Sequence, residues 1–363
     1  MGGAKSKKGR SRGRLTSPAP GHSPSAPSKG PAETNERFRQ TVASLTDLPP
    51  TFQALRDLFQ HFGTVNPFIL REETLRRIEH LTHRPLISYV TKVYNVPREV
   101  PARIDDSDLS GFLDLTSTVD GDCLDLFLVS NGGSPEATER IVALLRQKFQ
   151  SLRVIVPGNA FSAATLMCFA ADEIIMGPIG TLGPIDPQVN GIPAEAVLKS
   201  IETIEQRIKK EGIASLAPYS PLLKKYDLHF LEMCKAAREL SRELAEKWLT
   251  DYMFKRATDE QDSDCVEVIS RIVEEFASYD TNKSHGRGIG REKARAVGLK
   301  VVFTEEVNEK LTDLMNSLFF QYEFLFDATN WFKLFENARG ISWGKSAQPI
   351  LVAGGPPPLP PRV

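Results

Sequence analysis

Between Val156 and Gln188 the chain reads VPGNAFSAATLMCFAADEIIMGPIGTLGPIDPQ. The residues leading into it, LRVIVP (152–157), read as a strand. FSAATLMCFAA (161–171) reads as a helix that is apolar nearly all round and therefore buried. DEIIMG (172–177) reads as the next strand. A strand, a buried helix and a second strand predict parallel neighbours in a sheet covered on both faces. The only serine of the stretch, Ser162, falls where the helix opens. It is either a nucleophile held at a helix start or an N-cap, and serine is a preferred cap.

The same alternation extends upstream. PLISYVTKVY (85–94) and CLDLFLVS (123–130) are strand-like, with a short Asp/Ser-capped helix, DDSDLSGFLDLT (105–116), between them. SPEATERIVALLRQKF (134–149) is an amphipathic helix with Ser134 as N-cap and Pro135 in its first turn. Residues 37–83 read as a helical lead-in, in which TFQALRDLFQHF and REETLRRIEHL space apolar residues by three and four. Downstream of Gln188 come long helical stretches from 194 to 257, a helix over CVEVISRIVEEFASY, the loop DTNKSHGRGIG (280–290), a short helix REKARAVG, and LKVVF. The expected order is a disordered basic tail (1–36), the lead-in (37–83), a catalytic α/β unit (84–303), a C-terminal helical segment (304–345) and a Pro-rich disordered tail (346–363). If a signal controls activity, residues 37–83 are placed to act as a lid.

The 363 residues carry a net charge of −1 and are 41% hydrophobic. That is soluble globular composition, with no overall field for nucleic acid or an anionic membrane. No stretch approaches the length of a membrane span, and no signal peptide is visible, so a cytoplasmic protein is expected. Cys123, Cys168, Cys234 and Cys265 are far apart and form no CxxC pair, which reads as free thiols in a reducing compartment. The histidines are scattered, so neither a metal site nor any cofactor is expected. Gly2 and Ser6 fit a myristoylation pattern, and Pro357, Pro360 and Arg362 an SH3-type ligand. Plain flexible tails are the preferred reading of both ends.

Two features would meet at the carboxyl edge of such a sheet, where open α/β proteins place ligands. Gly132-Gly133 follows a strand, and its backbone N–H groups can face an oxyanion. Ser162 opens a helix among Ala160, Ala163 and Ala164, which leave room for a carbonyl. A serine nucleophile needs a base and an orienting group. His285, among glycine and polar residues, is the best base. Asp186 in GPIDPQ and Asp227 in KKYD are the candidate acids, Asp227 being better placed as a helix cap. Lys199, Lys209, Lys210, Lys224 and Lys225 are rival bases, none in an evidently apolar setting.

At these residues the sequence resembles the serine dehydrogenase proteinase family, relatives of the ClpP and SppA peptidases. The resemblance is carried by IDDSDLSGFLDL, LVSNGGSPEATERIVALLRQKF, the 156–188 stretch, PLLKKYD and HGRGIGREKARAVGLKV, over roughly residues 70 to 300. It implies an α/β fold, a ClpP/crotonase-like spiral of βαβ units with helical additions. It implies a Ser, Asp, His triad in that chain order: Ser162, then Asp186 or Asp227, then His285. It implies an oxyanion hole at Gly133 and Ala163, with Gly132 in the same turn, and a homo-oligomer acting on peptide or protein substrates. Two positions depart from the family pattern: Ala164 stands where the family has glycine, and Asn131 where it has proline.

A serine peptidase is thus the leading expectation. A catalytically silent scaffold, a crotonase-type acyl-CoA enzyme and an esterase using AFSAA as a degenerate nucleophile elbow are the alternatives.

Overall fold

The structure is a computed structural model and describes residues 30–220, 227–260, 262–278, 284 and 286–347. Its centre is a seven-stranded sheet. Strands β1 (Leu86–Thr91), β2 (Cys123–Val129), β3 (Ser151–Val156), β5 (Glu173–Met176) and β10 (Val301–Phe303) run parallel as neighbours in that order. Helices α4 (Leu109–Ser117), α5 (Pro135–Lys148) and α6 (Ala163–Phe169) make the crossovers between successive strands from β1 to β5. Ser134 Oγ accepts from Ala137 N at 3.0 Å and Pro135 occupies the first turn of α5, as the sequence indicates.

Period-two alternation sends side chains to opposite faces. Leu124, Leu126 and Leu128 of β2 join the larger core beneath α4, α5 and α6. Phe127 and Val129 enter a second core on the other face. That second face is covered by α3 (Phe68–Thr82) and the long C-terminal helix α11 (Glu309–Ala328), through Leu75, Ile78, Leu311, Met315, Phe319 and Tyr322. Helices α1 (Pro31–Ser44) and α2 (Phe52–Phe62) pack outside these around Phe38, Val42 and Leu55. One expectation is corrected here. Residues 31–36 are helical rather than part of a disordered tail. Within the lead-in, which reaches further into the fold than an added lid, α3 forms part of the core against the sheet.

The C-terminal segment differs more. Only its first part is helical. Strands β11 (Trp331–Asn337) and β12 (Ser342–Ser346) form a hairpin that extends the sheet antiparallel beside β1. β11 carries buried charge. Arg71 meets Glu336 with two bonds, of 2.6 and 2.7 Å, and Tyr322 Oη donates to the same carboxylate at 2.9 Å. Lys333 Nζ reaches Asp105 and Asp108. Charges that find partners so far away in sequence disguise a buried strand as a polar one.

Between β5 and β10 the chain leaves the sheet, and a small hairpin of β7 (Gln188–Val189) and β8 (Ile192–Pro193) precedes the helices. Helix α7 (Ala194–Glu211) packs on α8 (Leu228–Trp248) through Val197, Leu198 and Cys234. Leu244, Ala245 and Trp248 anchor α8 in the main core, with α9 (Ser263–Ala277) beside it. Much of this long helical insertion therefore packs within the subunit. Helix α10 (Arg291–Val297) then leads into β10. No helix among the described residues is long and apolar enough to cross a membrane.

Candidate active site

Three short segments form a second, small sheet at the carboxyl edge of the main one. β4 (Asn159–Ala160) pairs parallel with β6 (Thr181–Leu182), which pairs antiparallel with β9 (Ile289–Gly290). The sheet draws together the residues just before Ser162, the loop leading to Asp186 and the residues just after position 285. Ser130, at the end of β2, binds β4 from the other side: its N–H donates to Asn159 O at 2.8 Å and its carbonyl accepts from Phe161 N at 2.9 Å. That pairing brings Ser162 to the Gly132-Gly133 turn.

Ser162 sits at φ 53°, ψ −119°, a strained conformation for a residue with a Cβ. Its side chain caps nothing, although it stands at the N-cap position of α6. A strained serine on a sharp strand-to-helix turn, exposed to a cavity, has the form of a nucleophile elbow. The turn is fixed from below. Thr165 Oγ1 bonds Ala160 O at 2.7 Å, Gly183 O at 2.9 Å and Gly183 N at 3.0 Å.

Gly132 has φ +88°, and a Cβ there would stand 2.8 Å from Ser162 Cβ and 2.4 Å from Phe161 O. Only glycine lets the turn come this close. Its N–H donates to Ser130 Oγ at 3.1 Å, so Gly132 shapes the turn and is not an oxyanion donor, which corrects one expectation. Gly133 is clamped against Ile104. Ile104 N donates to Gly132 O and Ser134 N to Ile104 O, both at 2.9 Å. Among the described residues no acceptor takes the N–H of Gly133 or of Ala163. Gly133 lines the same cavity as Ser162, and Ala163 follows Ser162 in the chain.

Ser162 and Gly133 line a cavity of about 540 Å³ together with Asn131, Asn159, Gln188 and Gly286. His285 lies outside the described residues, but the next residue, Gly286, is on the cavity wall. Asp186 is buried, 1% exposed. Its loop is clamped by Ile185 N on Phe276 O at 2.9 Å and by Ser241 Oγ on Ile185 O at 2.6 Å. Asp227 is exposed and caps α8, accepting from Phe230 N at 2.7 Å. Lys199, Lys209 and Lys210 lie on α7 and do not line the cavity, and Lys224 and Lys225 fall outside the described residues. A lysine that the sequence reading overlooked, Lys92, does line it. Its Nζ donates to Phe326 O at 2.9 Å and lies 3.8 Å from Asp327. Burial pushes the thiol of Cys168, on α6, well up, so it is no competing nucleophile.

Residues 69–254 match the family described as ClpP-like SDH-type serine proteinase, over half of the chain. The chain belongs to this family. A ClpP-like SDH-type serine proteinase is a serine peptidase by class, and the parallel sheet with its crossover helices agrees with that fold. Two uncharacterized proteins of Methanocaldococcus jannaschii are similar in sequence. One is 29% identical over 136 residues, covering 36% of this chain and 47% of the relative. The other is 34% identical over 143 residues, covering 36% and 48%. The chain thus spans about half the length of the curated relatives it matches. Among solved structures, a variant of the membrane-bound stomatin-specific protease 1510-N is 16% identical, with a TM-score of 0.34 over 58% of this chain and 79% of that one. A variant of ClpP1 from Listeria monocytogenes is 14% identical, with a TM-score of 0.32 over 64% and 98%.

Proposed function

We propose that this serine proteinase relative hydrolyses peptide bonds through an acyl-enzyme on Ser162. The observation that carries the reading is the strained, uncapped Ser162 with the unpaired N–H groups of Gly133, on the same cavity, and of Ala163, the next residue. Ser162 Oγ attacks the peptide carbonyl while His285 takes its proton. The carbonyl oxygen becomes an oxyanion and receives the two N–H groups. Collapse breaks the C–N bond, and His285 returns the proton to the departing amine. Water then cleaves the ester by the same route in reverse roles.

Asp186 is our choice for the acid that orients His285. Its burial and the clamping of its loop support it, whereas Asp227 is committed to capping α8. For His285, the support is Gly286 on the cavity wall and the pairing of β9 with β6. We take residues 84–303 as the peptidase unit. We also assign a homo-oligomeric assembly and a cytoplasmic setting. Ile213 and Leu228, 73% and 81% exposed near the tip of the α7–α8 pair, support the first. The four free cysteines support the second.

The test is labelling of the purified protein with a fluorophosphonate probe, followed by peptide mapping, alongside Ser162→Ala. Label on Ser162 that disappears in the variant is the expected result. An unlabelled wild-type protein under conditions where it is folded and assembled would instead indicate a non-catalytic scaffold.

A further inference from the structure

One wall of the Ser162 cavity is basic. The chain from Lys92 to Arg103 forms it, and Lys92, Arg98 and Arg103 all line the space. No Asp or Glu is among the described lining residues. The carboxylates nearest in sequence are elsewhere or already paired. Glu99 is exposed and off the cavity. Asp105 is held by Lys333 at 2.7 Å, and Asp106 by Arg140 at 2.8 Å. Lys92 is partly neutralised by Asp327. Arg98 and Arg103 make no ion pair or side-chain hydrogen bond with any described residue.

The wall is also fixed in place. Asn131 Nδ2 donates to Val93 O at 2.8 Å, which ties the start of the wall to the residue preceding the glycine turn. Ile104, immediately beyond Arg103, pairs with Gly133. Val96, Val100 and Ala102 supply apolar surface between the charges. A rigid loop with two uncommitted guanidinium groups beside a reacting centre is suited to planar carboxylate recognition.

We infer that Arg98 and Arg103 select peptides with an aspartate or glutamate side chain beside the bond to be cut. The inference rests on Ser162 being the reacting residue. The decisive experiment uses the full chain and fluorogenic peptides differing only by glutamate or glutamine at each position around the scissile bond. At low salt the best glutamate peptide is expected to exceed its glutamine twin in kcat/KM by about fivefold or more, chiefly through KM. That ratio should fall toward one in the Arg98→Gln/Arg103→Gln double variant, and also at about 0.5 M salt. Both arginines are exposed, so their replacement leaves the core untouched. Equal cleavage of the twins, or a preference that survives the double variant, would overturn the inference.

Binding to the Ser162→Ala protein separates this from the hydrolytic reading. Fluorescein-labelled twins, followed by anisotropy, should show the same arginine-dependent preference without turnover. Equal affinity overturns the inference. A preserved preference in a protein whose wild type neither cleaves nor labels leaves acidic-peptide binding standing and sinks hydrolysis alone.

Discussion

Lys333 on the C-terminal hairpin holds Asp105 at 2.7 Å, and Asp105 is the immediate neighbour of the Ile104 that clamps the Gly133 turn. The same Nζ lies 2.9 Å from Asp108 Oδ1, and Tyr89 Oη donates to Asp108 at 2.7 Å. Lys333 and Asp108 are fully buried. The hairpin thus underpins the Gly132-Gly133 turn from a strand far away in sequence.

Removing one partner of a buried ion pair leaves the other uncompensated. Lys345 Nζ also lies 2.6 Å from Asp108 Oδ1, so Lys333→Met should be destabilising in urea denaturation but by less than the about 3 to 5 kcal/mol of a fully stranded buried charge. Adding Asp108→Asn should recover part of that loss, because the buried carboxylate that has lost one of its two lysines is gone. Strict additivity of the two changes would show that the pair is not coupled.

Ser162 bears backbone strain that glycine would not. Ser162→Gly should be more stable than Ser162→Ala by about 1 kcal/mol, since alanine keeps the Cβ at φ 53°. Neither variant should take up a fluorophosphonate. Urea midpoints in the opposite order would contradict the strained-elbow geometry.

Gly133→Ala tests the oxyanion hole proposed for this turn. The new Cβ would stand 2.2 Å from Ile104 O and 2.4 Å from Ile104 N, and both atoms are backbone. The turn must move, and a displaced oxyanion donor costs about 100-fold or more in kcat. KM should change much less. A variant with wild-type kcat would remove Gly133 from the oxyanion hole.

Glu323 on α11 gives a pH signature. It is 6% exposed, and its Oε1 has no hydrogen-bond partner among the described residues. Burial, then the nearby Asp327, raises its pKa to about 7, while Lys92 pulls the other way. The unfolded glutamate titrates near 4.3, so between about pH 4.5 and 7 the folded chain binds the extra proton. Stability should fall as pH rises through that window and level off above it, by up to about 3 to 4 kcal/mol. Glu323→Gln should remove this slope and be the more stable protein at pH 8. An unchanged slope would place the titration on another group.

Much of the architecture was legible because alternating apolar residues and helix caps are local signals. Strands β1, β2, β3 and β5, with α5 and its Ser134 cap, appear where the pattern puts them. The β11–β12 hairpin was not legible. Lys333 and Glu336 are charges on a buried strand, satisfied by Asp105, Asp108 and Arg71, which no window around residue 333 contains. Ser162 could be found by composition, but cap and elbow differ in a backbone torsion that composition does not record. Lys92 escaped notice because it joins the cavity only through the sheet topology that sets β1 beside β2.

The order in which these parts leave the ribosome matters. Strand β1 is made early, yet one of its two neighbours, β11, is made late. Until Trp331–Asn337 emerges, a nascent chain has an open sheet edge beside β1, Arg71 has no Glu336, and the loop at Asp105 has no lysine beneath it. Pairing across so much chain is slow, and unpaired edges invite misassociation. A chain interrupted before the hairpin would also lack the support under its Gly132-Gly133 turn. Biosynthesis itself therefore withholds the support beneath the Gly132-Gly133 turn until nearly all of the described fold exists.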